Sequence, residues 1–394
     1  MKKIIAILAM VALVGGVAFA EASVSGAVIG TVNVLQNGVN EKGDDIVTGS
    51  AGLDRVRLEA SGGDEDGKFG AWLRIEGASF NFDEIFRDSE EEGEEGPNFD
   101  NIFKNGFAGN VWWKPIDQLL IRIGSNGGDG YYEKAGVTTW MFYQTASDTG
   151  VVDPGNAWWS TYTGGFHFRN AFYSGFGDNA LMLEIKPVEM IGFNVVLPYF
   201  NAGEVKDIFG NLVLQADVNL DFGNIALTYT GDSSDDTNGN VYLYLGLGIG
   251  DNVALDIGLG LTIPGDVEGQ KLNVGLGAKV GISEAFGLKL RLVAGIPTDS
   301  DDKVTNVLFD VLPFFALSDS ATVFVSLGLA LVDKDGDAWV GFHFNPYLQV
   351  GSEWGPKFLA GIKVSQNLAY DGKFADGGDA KINWSVPIAI SVGF

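Results

Sequence analysis

The chain contains no cysteine. That excludes disulfides, thiolate metal sites and lipoprotein processing. Beyond its first twenty residues it also lacks any apolar run of membrane-helix length, which takes about 20 residues. Cations are scarce: 25 Lys and Arg stand against 51 Asp and Glu, for a formal net charge of −26. Such acidity argues against nucleic-acid binding. Histidine is limited to His167 and His343. His343 is expected beside Asn345 on an inward face. No serine or carboxylate constellation is identifiable from spacing, because triad partners lie far apart in sequence. No enzymatic activity and no cofactor are expected.

What is present is alternation. Residues 382–394 read Ile-Asn-Trp-Ser-Val-Pro-Ile-Ala-Ile-Ser-Val-Gly-Phe, with Ile382, Trp384, Val386, Ile388, Ile390, Val392 and Phe394 at every second position. Strand side chains alternate faces, so one face is continuously apolar and the other is not. A soluble sheet edge of this kind would aggregate. A strand between lipid and a polar lumen requires it. The aromatic last residue resembles the C-terminal signature of bacterial outer-membrane β-barrels, which implies that Phe394 is an assembly signal read by the barrel-assembly machinery.

At the other end, Lys2 and Lys3 precede an apolar stretch from Ile4 to Val17 and the small-x-small triplet Ala18-Phe19-Ala20. This predicts a signal peptide over 1–20, cleaved after Ala20, with the barrel over 21–394.

The same grammar recurs between these ends. Val241, Leu243, Leu245, Leu247 and Ile249 share one face; after an expected two-residue turn at Asp251-Asn252, Val253, Leu255, Ile257, Leu259, Leu261 and Ile263 do so again. Comparable segments span 24–34, 56–60, 69–75, 111–113, 119–123, 181–185, 193–199, 212–220, 225–229, 272–280, 286–296, 307–315, 321–331, 340–350 and 358–364. Short connections alternate with long polar ones at 37–50, 81–104, 126–177, 231–240, 297–303 and 367–380. The expected fold is all-β: a transmembrane antiparallel up-and-down barrel of about 16–18 strands. A propeller would not keep unbroken apolar faces outward.

Parity leaves an inward set rich in cations: Arg55, Arg57, Arg74, Arg122, Lys279, Lys289, Arg291 and Lys363, against Glu59, Glu76, Asp256 and Asp310. The chain's acidity therefore belongs to loops, such as the Glu90 to Glu95 run. So many inward charges call for water, and barrels of about 16–18 strands leave an aqueous passage. Two readings of the early arginines stand: an anion-attracting eyelet, or pairing with Glu59 and Glu76 that solvates the wall. Trp112, Trp140, Trp158 and Trp159 could stack sugars, but an aromatic girdle or a packed loop core is the preferred reading. Asp333-Lys-Asp-Gly-Asp337 lacks the downstream bidentate Glu of a calcium loop and reads as an acidic outer turn.

The stretches Ser23 to Val32, Asp54 to Gly62 and Asp64 to Glu76 resemble the opening hairpins of Gram-negative general porins. That resemblance implies passive diffusion of small hydrophilic solutes, outer-membrane lipid as surroundings, a homotrimer, and a constriction loop after the fifth strand. Here that loop would be 126–177, which is aromatic rather than acidic. A sugar- or anion-selective channel and an adhesive surface protein with acidic loops are the competing functions.

Overall fold

The computed structural model describes residues 21–39, 45–80, 107–125, 180–198, 209–231, 237–264, 270–299, 304–334, 337–351, 356–370, 373–374 and 382–393. The expected signal peptide, the whole of the expected constriction loop 126–177 with Trp140, Trp158 and Trp159, the Glu90 to Glu95 run and Phe394 lie outside the described residues.

Antiparallel strands follow one another in chain order: β1 (Glu21–Val39), β2 (Asp45–Gly63), β3 (Phe69–Phe80), β4 (Phe107–Ile116), β5 (Leu119–Gly124), β6 (Ala180–Val188), β7 (Ile191–Leu197), β8 (Val213–Leu220), β9 (Gly223–Thr230), β10 (Thr237–Ile249), β11 (Val253–Pro264), β12 (Gln270–Gly281), β13 (Phe286–Asp299), β14 (Val304–Ser318), β15 (Ala321–Lys334), β16 (Asp337–Gly351), β17 (Lys357–Gly361), β18 (Lys363–Tyr370), β19 (Lys373–Phe374) and β20 (Asn383–Gly393). β17 and β18 are one stave interrupted at Ile362, since both pair with β16 and with β20. Among the described residues the two-residue β19 pairs with β18 only. The wall therefore has 18 staves.

Closure comes from β1 pairing antiparallel with β20, from Ala27↔Gly393 to Gln36↔Ser385. A closed sheet leaves no unpaired edge, which is the condition for crossing a bilayer with strands. A bulge between Asn33 and Gln36 bends β1 at this seam, and both of those side chains are buried. Asn37 completes the stitch: its Nδ2 donates to the Ile382 carbonyl at 3.1 Å, and its Oδ1 accepts from Trp384 N at 2.6 Å.

The two faces separate as parity requires. Val111, Ile123, Leu243, Leu259, Leu261, Leu276, Phe309, Leu327, Leu329, Phe344, Ile390 and Val392 are exposed on the outside. Two outward ring pairs stand beside the short-turn rim: Phe69 on Trp113 (6.1 Å, 9°) and Phe286 on Phe315 (4.6 Å, 24°). Amphipathic rings at this level form an interfacial girdle.

The short turns have local causes. In the β2–β3 turn, Asp64 Oδ1 accepts from Lys68 N and Phe69 N at 2.6 and 2.8 Å, and Gly67 adopts φ 64°. A side-chain acceptor and a residue free to take positive φ are what a tight turn needs. The β10–β11 turn differs from expectation. Ile249 pairs with Val253, so the loop is Gly250-Asp251-Asn252, with Gly250 at φ 60°. Glycine's tolerance of that conformation lengthens the turn by one residue.

Four of the six polar segments expected as loops, 37–50, 231–240, 297–303 and 367–380, are also shorter than read. β1 and β2 stay paired out to Val39↔Asp45, which puts most of 37–50 into a hairpin. β10 starts at Thr237, β13 runs to Asp299, and β18 reaches Tyr370. Backbone pairing continues past the apolar belt because ladder hydrogen bonds do not require lipid-facing side chains.

Candidate functional site: the inner wall

The inner face is one set of register-matched positions. From β2 to β5 it carries Arg57, Glu59, Ser61, Trp72, Arg74, Asn110, Trp112 and Arg122. Arg74 Nε donates a short hydrogen bond to Glu59 Oε1, and Arg57 Nη1 stands 3.9 Å from the same oxygen. Arg57 and Glu59 keep side-chain exposures of 21% and 24%, enough for solvent to screen them. The Arg74 guanidinium lies 5.0 Å from the centre of the Trp72 ring, a cation–π distance. Arg55 and Glu76 hold register positions opposite Ala78 and Arg57; their side chains are outside the described residues. The arginines at 57 and 74 thus converge on one carboxylate, which is the geometry of the pairing reading.

Arg122 is different. Its register partners are Trp112 and Met182, with no acid in the row. Its Nε is buried and meets no hydrogen-bond partner among the described residues. Glu184 lies one diagonal step away, across from Leu120, and is taken by Lys186 Nζ at 2.5 Å.

Trp112 overturns the girdle reading for that residue. Its neighbour Trp113 faces out and joins the rim pair, whereas Trp112 faces in. A Cβ built on Gly70 would fall 2.2 Å from Trp112 Cζ2, and one on Gly63 would fall 3.5 Å away. The indole therefore occupies the space that side chains at these glycines of β3 and β2 would need.

The opposite part of the wall is built on another plan. One row runs Gly246, Asp256, Gly277, Arg291, Asp310, Gly328, His343 and Ser365 from β10 to β18. The glycines leave room for long polar side chains to lie along the sheet. A Cβ on Gly328 would sit 2.2 Å from His343 Cε1 and 2.4 Å from Asp310 Oδ1. Arg291 donates to Asp310 Oδ2 from Nε at 2.7 Å and again, shorter, from Nη2. Both side chains are 1% exposed. Tyr244 Oη donates a short hydrogen bond to Asp256, also buried. Charges expected to stand against water are here buried and paired: two Arg291 donors converge on one Asp310 oxygen, whereas Asp310 Oδ1 accepts no hydrogen bond among the described residues, and the charge-assisted contact offsets part of the desolvation that a lone charge would suffer. Inward Leu308, Leu312 and Val293 pack beside them.

The remaining cations fall between these extremes. Lys279 is exposed and stands in register opposite Lys289, a like-charged couple on one row. Lys363 is buried opposite Ser385.

His343 does acquire a serine and a carboxylate that spacing did not reveal. Ser326 Oγ is 2.9 Å from His343 Nε2, and Asp310 Oδ1 is 3.8 Å from the same nitrogen. A triad needs the acid on the other ring nitrogen, so that Nε2 is left to take the serine proton. The three residues do not form that relay. Asp333 and Asp337 flank a hairpin in which Lys334 pairs with Asp337. The Asp310–Arg291 pairing and the Trp112 platform both escaped sequence reading. Their signal was glycine at inward positions, legible only once register names what lies across from it.

These features define a bacterial outer-membrane β-barrel of porin-like fold. No protein-family model matches the chain, and no curated protein matches it by sequence. Among solved structures it is similar to OccAB4 of Acinetobacter baumannii, with a TM-score of 0.51 and 9% identity, covering 96% of this chain and 99% of that one. It is also similar to an anion-selective porin from Comamonas acidovorans (0.49, 15%, 95% and 100%). A third is the outer-membrane channel DcaP of Acinetobacter baumannii (0.44, 10%, 96% and 98%). At such identities the likeness is one of fold.

Proposed function

We propose that the barrel is a porin through which small hydrophilic solutes diffuse passively. The observation that carries this reading is an inner face that stays polar through most of 18 closed staves while the outer face stays apolar. Barrels of this strand number are wide enough for an aqueous passage, whereas about 8 strands are filled by side chains. Asn110, Asn194, Asn273 and Asn345 stand on that face, each with a buried side-chain atom that has no hydrogen-bond partner among the described residues.

Purified, refolded protein in planar bilayers tests the reading. Stable conductance steps are expected, and their absence would favour a surface-display role. Charge reversal at Arg55, Arg57 and Arg74 is expected to lower any preference for anions; unchanged selectivity removes these residues from the constriction. Removal of residues 1–20 in the mature protein, a role of Phe394 in assembly and a homotrimer belong to the same proposal. Deleting Phe394 should reduce outer-membrane yield without changing the conductance of inserted pores.

A selective variant of this function has one observation in its favour: a wall cation, Arg122, with no counter-ion among the described residues, beside an inward tryptophan.

A further inference from the structure

We infer that Trp112 and Arg122 form a lumenal binding site for small ring-bearing carboxylates, with sugar acids as the ligand class. The inference rests on the porin reading for access to the lumen but adds a site to it. Three features on adjacent staves converge. The Trp112 indole lies against Gly70 and Gly63, which have no side chains to hold it off the sheet. The half-buried residue stands on the inner face, in register with Arg122. Aromatic faces of this kind stack on flat or pyranose rings, whose C–H groups meet the π-system.

Arg122 is the cross-strand register partner of Trp112, and directly opposed side chains on one face start about 4.5–5.5 Å apart at Cβ. Among the described residues it makes no hydrogen bond or ion pair, and its buried Nε is left without an acceptor. An uncompensated guanidinium on a wall favours a carboxylate, which it can bind through two parallel N–H···O bonds. The other arginines of this sector are already engaged: Arg74 with Glu59 and Trp72, Arg57 near Glu59.

The third feature is the surround. Met182 lies across from Arg122 on β6, within the buried apolar group Ala180, Met182, Val196 and Val213. A low-polarity flank strengthens a charge-assisted hydrogen bond. Asn110, one pleat from Trp112, is buried and donates from Nδ2 to the Ser125 carbonyl at 3.1 Å, while its Oδ1 has no partner among the described residues. Ring stacking and carboxylate capture thus fall within one patch. Glu184, one diagonal step from Arg122, is paired with Lys186.

Equilibrium binding to the folded barrel in detergent, read by tryptophan fluorescence and by isothermal titration, tests this without relying on conductance. The probes are glucuronate, glucose (ring without charge) and acetate (charge without ring). Glucuronate is expected to bind more tightly than either. R122Q should weaken glucuronate at least about tenfold and leave glucose unchanged, since one charge-assisted pair is lost. R122K should recover part of the affinity. W112A should weaken glucuronate and glucose together and leave acetate unchanged. Retained heat-modifiable migration on gels confirms that each variant is folded. Equal binding of glucuronate and glucose, or R122Q indistinguishable from the parent, overturns the site even if the barrel conducts. Glucuronate binding that disappears in R122Q upholds the site even if no conductance is found, in which case the porin reading alone fails.

Discussion

The sector from β2 to β5 and the sector from β12 to β16 obey the same alternation and treat charge in opposite ways. In the first, Arg57 and Glu59 stay partly exposed, Arg122 has no counter-ion among the described residues, and two indoles line the wall. In the second, Arg291 and Asp310 are buried against each other, glycines make room for them, and Leu308 and Leu312 fill the space around. The first sector keeps its electrostatic potential available to a solute. The second spends it on holding the wall together. A lumen can therefore be polar everywhere by parity and still present its field on one side.

This contrast can be broken most sharply at Arg291. Arg291→Met strands Asp310 as a buried charge, and a loss of about 3–5 kcal/mol is expected in urea unfolding of the detergent-folded barrel. The double change R291M with D310L should restore most of it, because two apolar side chains leave no charge to desolvate. A single variant as stable as the parent would mean that the pair is not buried in solution.

Next in size is a test of which face is which. Leu259→Arg places a charge on the outer belt, at a position 39% exposed to the surroundings of the barrel. Near the midplane of a bilayer this costs about 2–4 kcal/mol, measured in lipid vesicles. No loss in lipid would reverse the assignment of faces.

Gly328→Ala probes the spacing of the charged row. The new methyl meets His343 and Asp310 at less than contact distance, and about 1–3 kcal/mol of overpacking is expected. The same change at Gly248, where a Cβ would meet only the Phe222 carbonyl at 3.7 Å, should be nearly silent.

The smallest stability effect is expected at Arg57→Gln, about 1 kcal/mol or less, since the contact to Glu59 is long and screened. Its signature is a lower anion-to-cation permeability ratio in bilayers. A large stability loss with unchanged selectivity would make the two sectors alike.

All 18 staves coincide with segments whose alternation is visible in the chain, including short and irregular ones such as Val111 to Trp113. The boundaries were less legible. The Asn37 to Ser50 region reads as a polar loop, yet its ends remain in the ladder, because backbone pairing is indifferent to side-chain polarity. Among site residues, the inward face of Arg57, Arg74, Arg122, Asp256 and Arg291 follows from parity. Their partners do not. Arg122 and Arg291 look equivalent in sequence, both flanked by apolar residues on a strand.

The period of two is a local property of an extended chain, so the sequence by itself determined which residues face lipid and which face the lumen. Which inward residue meets which is a matter of register between staves and of closure by β1 on β20. That register sets Arg291 across from Asp310 and Arg122 across from Met182. Only the tertiary structure decided it, because register sums turn lengths, bulges and pairings from the whole circumference, and no single strand contains that sum.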